Sequence, residues 1–314
     1  VEDIYATERL KWTLIRENKG KELDEVIKGE ECVNDIGMFY RIVKTYEIDL
    51  RLPHREVTID SICSDLILLP GVGPATADSL RKKGITSLKD VIEDSRWCEP
   101  ARDILQMIED DDIASILSVV ERWHKFSHPS CNALLGMAEK EDLLFFDIET
   151  MGLRHRPLFL IGVGYFDGDN FVLEQFLARD TSEEKAVIHE FLNQSATYDI
   201  MVSFNGRSFD ARFIRERMER YDMNGFKSMP HFDLLHMSRG RWELINNKLS
   251  TIEGEVLGVE RDVDISSALV PHFYELFLRR KNPGPLIPII GHNQQDIVSM
   301  VHLLDILCKG LKDQ

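Results

Sequence analysis

The stretch Leu143-Leu144-Phe145-Phe146-Asp147-Ile148-Glu149-Thr150 places two carboxylates one residue apart at the end of a run apolar enough to be a buried strand. Side chains alternate along an extended chain, so Asp147 and Glu149 share one face. Two such anions repel each other and are costly to desolvate unless cations neutralise them, which points to bound metal. The plainer alternative is a strand end whose acids are simply solvated. A second acid follows another short apolar run, Ile200-Met201-Val202-Ser203-Phe204, in the sequence Asn205-Gly206-Arg207-Ser208-Phe209-Asp210. Asp210 opens an amphipathic helix, a position where the helix dipole by itself favours an acid. The third site is His292-Asn293-Gln294-Gln295-Asp296. At helical spacing His292 and Asp296 lie on one face, one turn apart. Asp296 runs into Ile297, Val298, Met300 and Val301, so it sits where the helix otherwise buries apolar side chains. Asp233, followed by Leu234-Leu235, reads as a helix cap or structural contact.

Together these segments resemble the three exonuclease motifs of the DEDD superfamily, and most nearly its YprB-like ribonuclease H-like group. The resemblance runs from about Leu143 to Leu307. It includes Lys248–Glu253 and Leu257–Arg261, which are similar to that group's connecting helices. It implies an α/β fold, a ribonuclease H-like mixed sheet flanked by helices, and a 3′ to 5′ exonuclease that hydrolyses phosphodiester bonds with two metal ions. The implied catalytic set is His292, Asp147, Glu149, Asp210 and Asp296. The four acids would be the metal ligands, with Asp147 as the bridge, and His292 would orient or deprotonate the attacking water. An all-carboxylate set suits Mg²⁺ or Mn²⁺. Two such cations about 4 Å apart can activate a water and neutralise the leaving oxygen. Met151, Gly152 and Leu153 are implied to wedge against a terminal base and sugar, and Asn205 is grouped with them as nucleic-acid-binding. His292 occupies the register that superfamily members with tyrosine use, four residues before the last Asp. Members with histidine usually place it five before, where this chain has Gly291.

Upstream, residues 58–124 have a helical pattern: short amphipathic stretches joined by turns at Pro70-Gly71, Gly84 and Glu99-Pro100. Within it, Leu68-Leu69-Pro70-Gly71-Val72-Gly73-Pro74-Ala75-Thr76-Ala77 resembles a helix-hairpin-helix motif. Two glycines around one apolar residue make a tight turn, and Pro74 suits the first turn of the next helix. Backbone N–H groups of Gly71, Val72 and Gly73 can hold a phosphate without net charge. Arg81, Lys82 and Lys83 form the clearest basic cluster beside them. Such contacts read no bases. The expected partner is DNA, single-stranded or frayed, with RNA as a further possibility. A turn that only packs the module is the alternative there.

The elements that must position these residues follow from the pattern of the chain. Residues 1–57 combine a charged helical stretch with one or two strands around Gly37–Tyr46. Residues 125–141 lack a period and read as a linker, and residues 142–314 give a meander of strands, then strands alternating with helices. With 38 Lys and Arg against 54 Asp and Glu, the net charge of −16 argues against holding nucleic acid by bulk charge. The five cysteines are scattered, without a C-x-x-C pair, so neither a disulfide framework nor a zinc knuckle is expected. No apolar run is long enough for a membrane span. Val1-Glu2-Asp3 begins no secretory signal, and a cytoplasmic location is expected. A ribonuclease, a structure-dependent endonuclease and a non-catalytic DNA-binding scaffold are the rival functions.

Overall fold

The apolar runs around the first acids become the centre of a single sheet. The computed structural model describes residues 2–92, 96–153, 155–239, 241–261 and 265–309. Among these, seven strands join: β1 (Glu30–Val33), β2 (Met38–Glu47), β3 (Leu143–Thr150), β4 (Leu158–Asp167), β5 (Asn170–Leu177), β6 (Ile200–Ser203) and β7 (His231–Asp233). Their order is β1-β2-β5-β4-β3-β6-β7. The pairings from β1 through to β3 are antiparallel, and β3-β6 and β6-β7 are parallel. This is the mixed α/β sheet with flanking helices that the ribonuclease H-like resemblance implies.

Strands β3, β4 and β6 are almost wholly buried, which is why they read as continuous apolar runs rather than alternating ones. A two-residue turn, Gly168-Asp169, joins β4 to β5, with Gly168 at φ +57° where a side chain would be strained. Helices Glu184–Ser195, Asp210–Arg220, Val270–Arg280 and Leu286–Lys309 supply the cover. Phe159 of β4 stacks on Tyr274 with ring centroids 3.8 Å apart, and Phe146 of β3 meets Phe191 at 5.6 Å. Burying one such ring contributes about 1.5–3 kcal/mol. A buried ion pair fixes the start of β4. Arg217 donates from two nitrogens to Glu184 at 2.6 Å each, and Glu184 also accepts from the Leu158 N–H at 2.8 Å.

The chain divides into two units. One comprises Val1–Asp49, Leu143–Leu235 and Leu244–His302, and contains the sheet. The other comprises Leu50–Asp142, His236–Glu243 and Leu303–Gln314. This corrects two expectations. Residues 1–57 are not one region: β1 and β2 extend the sheet, with β2 paired to β5 from Tyr40 to Glu47, and the chain changes unit after Asp49. Residues 125–141 are not a linker either. Pro129–Ala133 is helical, Leu134–Met137 continues as a 3₁₀ turn, and every residue from Ser130 to Met137 is buried. Thr58 donates its hydroxyl to the Ala133 carbonyl at 2.6 Å, tying this stretch to the helix Arg55–Cys63. Elements this short show no periodicity, so their burial has no sequence signature.

The remaining helices of the second unit include Pro74–Lys82, Cys98–Glu109 and Ile113–Trp123, as the helical pattern of 58–124 predicts. Among the described residues, no helix is long and apolar enough to cross a membrane.

Candidate active site

The four acids come from three segments of the first unit. Asp147 and Glu149 stand on the same face of β3. Asp210 is the first residue of the helix Asp210–Arg220, which follows β6, and Asp296 lies on the helix Leu286–Lys309. Because β6 runs parallel to β3, the chain leaves β6 at the end of the sheet where β3 carries its acids. The Ile148 N–H, between the two β3 acids, donates to Asp210 Oδ1 at 3.2 Å. Asp233, at the end of β7, clamps the loop before Asp210: it accepts from the N–H groups of Asn205 at 2.8 Å and Arg207 at 3.1 Å. It also accepts from the Leu235 N–H, in keeping with a capping and structural role. Asn205, at φ +66°, makes the left-handed turn there, a conformation that asparagine tolerates.

Glu149 and Asp210 are buried, whereas Asp147 and Asp296 keep a partial opening to solvent. Desolvation pushes the Asp147 carboxyl well above the usual range, reinforced by repulsion from Asp210, Asp296 and Glu149. Burial raises Glu149 to about 8 and Asp210 to about 7, and Asp296 is also raised by burial while His292 and Arg261 oppose the rise. The four acids therefore act as one electrostatic cluster. Their donor atoms are all hard oxygens, a set that fits Mg²⁺ or Mn²⁺.

Sequence reasoning missed the amides that hold this cluster. Asn293 donates to Asp147 Oδ2 at 2.8 Å, Gln175 donates to Asn293 Oδ1 at 2.7 Å, Gln294 donates to Gln175 Oε1 at 2.6 Å, and Lys44 donates to Gln294 Oε1 at 2.6 Å. Gly162, opposite Asp147 in the β3-β4 register, makes room for this chain, since a Cβ there would fall 2.2 Å from Asn293 Oδ1. The other missed residue is Arg261. Its guanidinium bonds Glu253 at 2.6 and 2.8 Å, His292 Nδ1 at 2.8 Å, and Asp296. Its signal in the sequence was its place at the end of Leu257–Arg261, a segment similar to the group's connecting helices, which assigned it no role.

His292 is buried, with Nε2 3.7 Å from Asp296 Oδ2. A cleft of about 540 Å³ opens over His292, Asp296 and Arg261, with Asn205 and Lys248 among its lining residues. A second hollow, of about 450 Å³, is lined by Leu153, Ser208, Phe209 and Arg212. Leu153 is 80% exposed at its edge, while Met151 packs against the core and Gly152 takes φ +151°.

The hairpin residues belong to the second unit. Gly71 adopts φ +76°, Gly73 caps the helix Pro74–Lys82, and both are exposed. Val72 is engaged inside the turn: its side chain is buried and its N–H donates to the Leu69 carbonyl at 3.1 Å. Arg81, Lys82 and Lys83 are exposed at the far end of that helix. A separate cluster of Asp65, His124 and His128 also lies in this unit with potential ligand atoms close together. There His124 Nε2 bonds Asp65 Oδ2 at 2.7 Å and His128 Nδ1 accepts from the Ser130 N–H.

The profile of the RNase_H superfamily (RNase_H_2) matches residues 144–308. Over 171 residues the chain is 31% identical to the uncharacterized protein YprB of Bacillus subtilis (strain 168), covering 52% of this chain and 41% of that protein. Among solved structures it is similar to the family B DNA polymerase from the hyperthermophilic archaeon Pyrobaculum calidifontis. That likeness has a TM-score of 0.42 and 19% identity, over 52% of this chain and 24% of the polymerase. The chain thus spans less than half the length of either protein. The superfamily match extends over more than half of the residues and takes in all four acids and His292, and the chain belongs to the RNase_H superfamily.

Proposed function

We propose that the protein is a metal-dependent nuclease of the DEDD type, a 3′ to 5′ exonuclease acting on single-stranded or frayed DNA. The observation that carries this reading is the coupled cluster of Asp147, Glu149, Asp210 and Asp296, whose carboxyls are all pushed upward and which one arginine does not neutralise. A cluster of that kind is unfavourable unless cations enter it. Two Mg²⁺ or Mn²⁺ ions, when bound, would supply an activated water and charge neutralisation at the scissile phosphate.

The chain's own residues do the rest. Asn293 and the Ile148 N–H each hold one carboxylate oxygen, of Asp147 and of Asp210, and the second oxygen of each would be offered to a cation. Met151, Gly152 and Leu153 would bear on the terminal nucleotide beside the hollow at Phe209, and Asn205 and Lys248 would line the path of the strand. In the second unit, Gly71 and Gly73 at the tip of a helix-hairpin-helix, with Arg81, Lys82 and Lys83, would hold the backbone without reading sequence. The hairpin favours DNA as the substrate, and the polarity follows from the resemblance to the superfamily.

The test is cleavage of end-labelled single- and double-stranded DNA and RNA with Mn²⁺, Mg²⁺ or EDTA, comparing wild type with Asp147→Ala. Metal-dependent laddering from the 3′ end, absent in the variant, is the expected result. Metal-independent binding of DNA without cleavage would replace the nuclease with a scaffold.

A further inference from the structure

Arg261 lies against both Asp296 and His292, and the chain behind it is shaped to hold it there. The segment Glu253–Leu257 is wound as a π-helix and ends at Gly258, whose φ of +66° turns the chain back, with the Val259 N–H donating to the Glu253 carbonyl at 2.9 Å. That reversal brings Arg261 onto Glu253, which is 1% exposed and grips the guanidinium through both carboxylate oxygens. Glu253 in turn accepts from the Ser299 hydroxyl at 2.5 Å. Ser299, Asp296 and His292 follow helical spacing on Leu286–Lys309, so one helix face holds both the anchor of the arginine and its targets. Fixed from behind through Nε and Nη2, the guanidinium presents Nη1 to His292 Nδ1, and Nη2 also reaches Asp296.

An arginine donates hydrogen bonds and cannot accept them. The 2.8 Å contact therefore requires an unprotonated Nδ1, and the proton of the neutral ring sits on Nε2. Among the atoms near Nε2 are Ser267 Oγ at 3.4 Å and Asp296 Oδ2 at 3.7 Å, and the carboxylate oxygen is an acceptor that suits a proton on Nε2. In this arrangement the Nδ1 lone pair is engaged by Arg261 and Nε2 carries the proton, so the side of the ring that faces Asp296 donates. We infer that Arg261 is a positioning residue that locks His292 as a hydrogen-bond donor from Nε2, so that His292 orients the water or phosphate beside Asp296 and does not act as the base. The inference rests on the nuclease reading for its consequence and on the Arg261 contacts for its geometry.

Two measurements on the full, metal-free chain test it. In ¹⁵N NMR, with the His292 signals assigned by their loss in His292→Gln, the wild type should carry its ring proton on Nε2. Arg261→Gln should turn this into a mixture of tautomers. Calorimetric titration with Mn²⁺ alone should show binding about tenfold tighter in Arg261→Gln, because a cation beside Asp296 has been removed. A residue that merely supports the fold would leave Mn²⁺ affinity unchanged or weaken it. Arg261→Gln strands Glu253 without its partner, so the double variant Arg261→Gln with Glu253→Gln, which replaces the buried ion pair by neutral amides, provides a second route and should show the same tautomer mixture. A proton on Nδ1 in the wild type, or a tautomer unmoved by both variants, overturns the inference. Absence of Mn²⁺ binding in the wild type would overturn the nuclease reading instead, leaving the tautomer result to judge Arg261.

Discussion

In the proposed function, the acid cluster and the glycine hairpin would be opposite arrangements for the same chemical group, a phosphate. In the cluster the charge is concentrated and withdrawn from water, and interior hydrogen bonds such as Asn293 to Asp147 and the Ile148 N–H to Asp210 hold individual oxygens. In the hairpin the apolar part is withdrawn, with Leu69, Val72 and Ala77 buried, while Gly71, Gly73 and the basic side chains face solvent. The first arrangement makes a few residues indispensable. The second spreads a modest effect over many, because exposed charges are screened and backbone donors are interchangeable.

That contrast is sharpest at Asp147. Asp147→Ala should lower cleavage about a thousandfold, several kcal/mol of transition-state stabilisation, with DNA binding by filter retention little changed. Cleavage that survives in the purified variant would remove the metal assignment. Next comes the space behind the acid. Gly162→Ala should cost about 2 kcal/mol in urea unfolding, because the new methyl collides with Asn293 and Ile297. A neutral outcome would mean that the amide chain yields easily. On the hairpin side, Gly71→Ala forces a side chain into φ +76°. It should cost about 1 kcal/mol and weaken DNA binding severalfold while leaving Mn²⁺ affinity as it was. Equal losses in both would end the separation of roles.

The smallest effect is in the pH dependence. Glu149 and Asp210 hold protons up to about 8 and about 7, against ordinary values of 4.5 and 3.8. Between these limits the folded, metal-free protein binds more protons than the unfolded chain, so this contribution to stability is present at low pH and lost as pH rises toward 8. Asp210→Asn should flatten that slope in thermal melts, and substitutions at Lys82 or Lys83 should not.

Much of the first region was legible in the sequence because strong local signals coincide there. The strands β3, β4 and β5 are apolar runs of ordinary length, and the helix at Asp210 starts where the pattern changes period. The amides were illegible: Asn293 and Gln175 look like surface residues, and it is the pairing of β4 with β3 and β5, with the room at Gly162, that brings them together in the interior. Strand β7 has three residues, too few for alternation to register. In the second region the turn signals at Gly71 and Gly84 marked the hairpin correctly as a turn. Val72 was counted among the phosphate donors because sequence does not reveal that its N–H closes the turn onto Leu69.

The pairing of β2 with β5 has a consequence for how the protein can be divided. Sequence pattern invites a cut before Leu143, one residue ahead of the superfamily match, which begins at Leu144. Such a fragment would leave β5 as a bare edge from Asn170 to Leu177, a template for self-association, and would take Lys44 away from Gln294. The smallest autonomous piece that keeps the interior chain to Asp147 intact therefore includes β2, a strand separated from its partner β5 by the whole of the second unit's first segment.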